Sequence, residues 1–275
     1  MRINKNIYSL NIYNNYQKSL KSNSTALERI TSGLKLNAAK DNPIKIERSE
    51  NLKMKIRSLE MANRNLQDGV SMIQTADGAM ATIGETLIRM KELIVQSGNS
   101  AYSDGELEKI QVELDELKDH ITKTAETTEF NGNKLIATNG AGNKEVQIGA
   151  EIGETMQIPL FDVSANTLGV DGIDVMNTNN LDNNISTIDK AISDVNRYRS
   201  QYGALQNRIE SSMEITTAST DSLTNARSNI TDADLAKEMI EYSKSDILIQ
   251  SSVALMTQSN NFPKDVLNIL SKIIK

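Results

Sequence analysis

The sequence predicts a mainly α fold, a long antiparallel coiled-coil-like bundle rod formed by both chain ends, with a small β-hairpin region in the middle. Three observations carry this. Leu52, Ile56, Leu59, Leu66, Val70, Ile73, Met80, Leu87 and Ile94 lie on a 4-3-4-3 ladder, with Asn63, Asp77, Gly84 and Lys91 on the missing rungs. Leu181, Ile185, Ile188, Ile192, Val195, Tyr202, Ile209, Met213 and Leu223 form a second ladder near the other end. Such spacing puts one apolar stripe on one side of a helix. A helix of about 50 residues is roughly 75 Å long, so its stripe needs an equally long partner. The third observation is composition. The chain has no Trp and only three Phe and seven Tyr. A heptad seam is filled by aliphatic residues and needs few aromatics, unlike a wide globular core.

The elements follow in order. Residues 3–35 read as a helix with Ile3, Ile7, Leu10, Leu20, Leu27 and Leu34 on one face, and Gly33 suits its C-cap. Asp41-Asn42-Pro43 is turn chemistry, and Pro43 can start the next helix. That helix runs from about 44 to 96 and stops at Gly98-Asn99. Ser103-Asp104 with Glu106 opens a further helix carrying Leu107, Ile110, Leu114, Leu117 and Ile121, and Phe130-Asn131-Gly132-Asn133 ends it in a turn. In residues 134–178 the runs Val146-Gln147-Ile148 and Met156-Gln157-Ile158, with Gly149 and Gly153 between them, predict a β-hairpin followed by irregular chain.

Helix resumes from 181 to about 230. After a turn at Thr231-Asp232-Ala233-Asp234, a last helix carries Leu235, Met239, Tyr242, Ile249, Val253 and Met256. Asn260, Asn261 and Pro263 are expected to break it before a short amphipathic tail with Val266, Leu267, Leu270 and Ile274. The turns suggest two domains: 1–43 with 233–275 as a terminal helical domain, and 44–232 as a helical rod holding the hairpin region.

Charge and composition exclude several functions. The net charge is −6, which argues against nucleic acid as a main partner. The sign is uneven, since residues 1–35 carry Arg2, Lys5, Lys18, Lys21, Arg29 and Lys35 against Glu28 alone. There is no Cys, so no disulfide, thiolate nucleophile or thiolate zinc site. The N-terminus lacks the apolar core of a Sec-type signal peptide, and no apolar run is long enough to span a membrane. His120 is the only histidine and sits on a Glu- and Lys-rich helix. Glu113 with Glu116, and Asp232 with Asp234, read as solvated faces and caps, not acid–base pairs. Gly140, Gly142 and Gly149 lack the setting of a phosphate loop, and Ca²⁺-loop spacing is absent. No enzyme and no cofactor is expected.

Six stretches converge on one family. Residues 27–37 (LERITSGLKLN), 62–71 (ANRNLQDGVS) and 130–135 (FNGNKL) resemble the N-terminal signature of bacterial flagellins. Residues 203–209 (GALQNRI), 226–234 (ARSNITDAD) and 262–267 (FPKDVL) resemble the C-terminal one. About 45 residues separate the helical blocks, too few for the outer domains many members add, so the chain resembles a minimal flagellin. It departs from the family pattern at Asn42-Pro43 and in residues 271–275.

The resemblance implies a subunit that polymerises into the flagellar filament for swimming, secreted through the flagellar export apparatus. Its partners would be other copies of itself, an export chaperone, a capping protein and hook–filament junction proteins. The terminal helices, with Leu10, Leu20, Leu27, Leu34, Leu235, Met239, Ile249, Val253 and Met256, are then the polymerisation surface. Residues 87–96 (LIRMKELIVQ) resemble the segment gripped by the host Toll-like receptor for flagellin, and Arg89, Leu93 and Glu113 match the contact residues. The rival readings are a hook–filament junction protein, which shares the termini, and a secreted coiled-coil effector, which needs neither signature.

Overall fold

The computed structural model describes residues 6–99, 102–137, 142–176 and 180–273. The elements run α1 (Ile7–Ser32), α2 (Pro43–Ser97), α3 (Asp104–Thr127), β1 (Glu129–Phe130), β2 (Asn133–Lys134), β3 (Asn143–Gln147), β4 (Thr155–Pro159), α4 (Leu181–Thr231) and α5 (Leu235–Ile273). They group into two compact units, one of Met1–Met54 with Leu223–Lys275, the other of Lys55–Ser222. The mainly α class is as expected.

Local chemistry places the helix ends. The Asn6 side chain accepts from Ser9 N–H and caps α1, and Gly33, at φ 69°, ends it in the left-handed conformation. The start expected at residue 3 lies outside the described residues. Asn42 caps α2 by accepting from Lys45 N–H at 3.0 Å, with Pro43 in the first turn where its missing N–H costs nothing. Asp41 accepts from Asn37 and Ala38 N–H, bonds that hold its carboxyl below its usual range. Glu106 accepts from Ser103 N–H at 2.9 Å, the reciprocal half of a capping box at α3. Asp234 accepts from Lys237 N–H at the start of α5.

Two expectations are corrected. The last helix does not break at Asn260, Asn261 and Pro263; α5 carries Pro263 within it. A helix-interior proline frees the carbonyl four residues earlier. That carbonyl, Ser259 O, accepts from Asn6 Nδ2 at 2.9 Å, so it is not left unpaired. The Phe130–Asn133 turn does not itself end α3, which stops at Thr127. It is the tip of a small hairpin, β1–β2, with Asn131 and Gly132 both at positive φ as a two-residue turn of matching twist requires. The chain after the hairpin is irregular, as expected, but it is not an exposed loop. Leu160, Val163, Ala165, Leu168, Val170, Ile173 and Val175 are all buried.

The second unit is built around α2 and α4. Ile56, Leu66, Ile73, Met80, Leu87 and Ile94 are buried from the first ladder, and Ile188, Val195, Tyr202 and Ile209 from the second. Toward its C-terminal end α2 buries a second row: Ile83, Met90 and Leu93. The same core contains Leu114 and Ile121 of α3 and the 160–175 segment, so this stretch of α2 is covered on two sides. The segment is tied down by Val163 N–H to Ile136 O, Lys118 Nζ to Ile173 O at 2.7 Å, and Val175 N–H to Gln111 Oε1. Met156 and Ile158 of β4 point into the core, while Thr155 and Gln157 face out. A Cβ at Gly69 would stand 3.5 Å from Ile158 and 3.7 Å from Ile209, so a small residue there lets hairpin and α4 approach α2 together.

Phe161 stacks on Tyr198 at 4.3 Å, and the Tyr202 hydroxyl donates to Pro159 O at 3.0 Å. Burial pushes the Tyr202 hydroxyl from 10.0 up to about 12. The unfolded chain would ionise this group near its ordinary value, the folded chain only near the raised one. Its contribution is therefore present below about pH 10 and lost as pH rises toward about 12. Tyr202→Phe should cost about 1–3 kcal/mol at neutral pH, because the Pro159 carbonyl loses its donor. Urea unfolding of both chains between about pH 8 and about pH 12 should show that difference shrinking as pH rises. A constant difference would contradict the burial assigned to this hydroxyl.

Candidate assembly interface

α1 and α5 lie antiparallel, as hydrogen bonds along their length show. Asn6 Nδ2 reaches Ser259 O, Ser9 Oγ reaches Asn260 Oδ1, Ser22 Oγ reaches Glu241 Oε1, and Arg29 pairs with Glu238 at 3.1 Å. At the far end the two breaks in the chain are joined to each other. Lys35 N–H donates to Thr231 O at 2.7 Å, Ala233 N–H donates to Gly33 O at 2.9 Å, and Leu34 bridges Asp232. Asp232 is itself held by Ser228 and Thr231 hydroxyls, which keep its carboxyl below its usual range.

Among the described residues, the buried ones of these two helices are small: Ala26 in α1, Ser245 and Ser252 in α5. The large apolar residues point elsewhere. Leu10, Leu20, Leu27, Leu34, Leu235, Met239 and Val253 are exposed, Met239 by 58% and Val253 by 49%. Ile249 and Met256 are half-buried. The sequence reading missed other members of this surface, because they lie off the heptad rows it followed. Tyr8, Ile240, Ile247, Leu248, Leu255 and Phe262 are exposed as well. A helix such as α5, apolar on most sides, is stable in water only when most sides are covered. The pair therefore presents apolar area well beyond a scattering of surface residues.

The residues matched to the receptor contact are only partly together. Arg89 on α2 and Glu113 on α3 form an ion pair at 2.9 Å, with a second bond from Arg89 to Glu92. Both carboxylates raise the Arg89 guanidinium above its ordinary value, Glu113 most. Arg89 is 51% exposed. Leu93 is only 2% exposed and belongs to the core beneath them, so its side chain supports that surface from inside and is not presented on it. His120 is exposed, and no cluster of metal-ligating side chains occurs among the described residues.

Comparison with known proteins gives the same reading. The family model for the bacterial flagellin N-terminal helical region matches residues 3–141, and that for the C-terminal helical region matches 185–270. The flagellin of Bacillus subtilis (strain 168) is 36% identical, over 98% of this chain and all of that protein. A flagellar filament 30.7 kDa core protein of Treponema maltophilum is 34% identical over 89% of this chain and 91% of its own length. Among solved structures, the Bacillus cereus flagellin superposes with a TM-score of 0.51 at 27% identity, covering 55% of this chain and 88% of that one. No described helix is long and apolar enough to cross a membrane. The chain belongs to the bacterial flagellin family, whose members are structural proteins and not enzymes, and it is a subunit of the extracellular flagellar filament.

Proposed function

We propose that the filament is built through the outward apolar faces of α1 and α5, with residues 1–43 and 233–275 forming the layer around its axis and 44–232 the layer outside. The observation that carries this is the inversion within the pair: its buried residues are small, while most of its large apolar residues lie on its surface. Covering those faces with other copies of the same helices buries the area that one chain cannot. Contacts of this kind that do not close on themselves give an open helical fibre. A pair with so little apolar area in its seam is weakly held before assembly. That suits passage as a loose chain through the flagellar export apparatus, with an export chaperone, a capping protein and junction proteins as partners.

Met239→Asp with Val253→Asp in one chain tests the interface. Both residues are exposed, so the monomer should keep its helicity and melting temperature, while seeded polymerisation fails. Filaments of normal length would reject the faces assigned here.

A second surface is favoured by the exposed Arg89–Glu113 pair. Its fixed, fork-shaped guanidinium is suited to the host Toll-like receptor for flagellin, since Arg commonly dominates an interface. Arg89→Ala should lower receptor signalling by soluble monomer about tenfold or more without changing its melting temperature. Leu93→Ala should act differently, destabilising the chain by about 2–5 kcal/mol because it empties a core site. Equal signalling by parent and Arg89→Ala would remove the receptor from the reading.

A further inference from the structure

We infer that the outward face of the first part of α2 docks on the outward face of α3 of a second copy; this rests on the self-assembly reading. The face on α2 is built from rows of residues seven apart, which stand one above the other on a helix. Met54 and Met61 form an apolar row, both more than half exposed. Arg57 and Arg64 form the neighbouring row, and Arg48 and Lys55 a row on the other side, beyond Asn51 and Ser58. Lys55 is paired with Glu151 at 3.2 Å. Arg48, Arg57 and Arg64 are exposed and have no ion-pair partner among the described residues.

The face on α3 is the counterpart in charge. Val112 is 59% exposed and stands at its centre. Glu108 and Glu116 lie one turn to either side, Asp115 lies in the adjoining row, and Asp119 stands two turns on in the row of Val112. Asp115 is engaged by Lys118 at 2.9 Å. Glu108, Glu116 and Asp119 are exposed and without an ion-pair partner among the described residues. Lys109 also borders Val112, so the ring is acidic but not uniformly so.

One helix thus shows a methionine row flanked by basic residues, of which the arginines are unpartnered, and another shows a valine bordered mainly by carboxylates, of which Glu108, Glu116 and Asp119 are unpartnered. Apolar centres with complementary rims are the arrangement of a specific contact. Opposite charges there would steer encounter and fix register between copies. The two faces are different patches, so each copy can use both at once. The contact is heterologous, and it propagates into an open fibre when the rotation between copies does not close a ring.

The test is charge reversal in the full chain, read as the critical concentration for seeded polymerisation at low salt. Arg57→Glu with Arg64→Glu should raise it about tenfold or more, as should Glu116→Arg with Asp119→Arg, because each puts like charges face to face. All four reversals in one chain should return it to within about threefold of the parent. All the side chains are exposed, and circular dichroism should report unchanged helicity in each variant. The contact is overturned if either pair of reversals is without effect, or if the fourfold chain is no better than its parts. If those chains polymerise normally while Met239→Asp with Val253→Asp stays blocked, the contact fails and the assembly reading stands. A parent chain that does not polymerise overturns both.

Discussion

Two helices alone cannot hide the apolar residues of both. α1 and α5 meet through Ala26, Ser245 and Ser252, which brings their backbones close but leaves Tyr8, Leu10, Leu20, Leu27, Ile240 and Ile247 among others outside. The alternative, large residues in the seam and polar ones outside, would give a stable two-helix unit with nothing left for assembly. Here polar bonds along the seam set the pairing and leave the apolar area exposed. On the assembly proposed above, folding of these ends and polymerisation are one process seen at two scales.

The second unit resolves the same constraint internally. Where α2 and α4 alone would leave α2 half-covered, α3 and the 160–175 segment cover its second side. That segment has no regular structure of its own, so its backbone needs partners from elsewhere. It finds them in Ile136 O, Gln111 and the buried Lys118. A lysine buried at this depth is costly unless paired, and Lys118 meets a carbonyl and the Asp115 carboxylate together.

Most of the helical frame was legible because each boundary carries its own chemistry: Gly33, Asn42-Pro43, Ser103 with Glu106, and Asp234. What was not legible depended on residues distant in sequence. Pro263 is a helix breaker by any local rule, and only Asn6 at the other end of the chain, by taking the Ser259 carbonyl, accounts for that orphaned acceptor. The burial of Leu93 likewise follows from the second wall against α2. A signal for that wall was present. Leu160, Val163, Ala165, Leu168, Val170, Ile173 and Val175 recur at alternating spacings of three and two, which is neither a helix nor a strand period. The outward direction of the terminal leucines could not be read from their periodicity, because a stripe shows which residues share a face but not what covers it.

The missing rungs of the first ladder have a positive role. Asn63 Nδ2 donates to Thr217 Oγ1, Asp77 meets Arg199 at 2.8 Å, and Lys91 meets Asp189 at 2.6 Å. The partners on α4 fall as the numbers on α2 rise, which is the signature of one antiparallel register. The ion pairs are close to half exposed, so each adds little to stability. Their effect is on alternatives. A seam of Leu, Ile and Met alone tolerates a slip by one heptad with similar burial, whereas such a slip would leave Asp77 and Lys91 facing the wrong rungs. Polar residues within a heptad seam specify register at a small cost in stability. In a subunit whose outer faces must repeat identically from copy to copy, a single register of α2 on α4 is what keeps those faces in place.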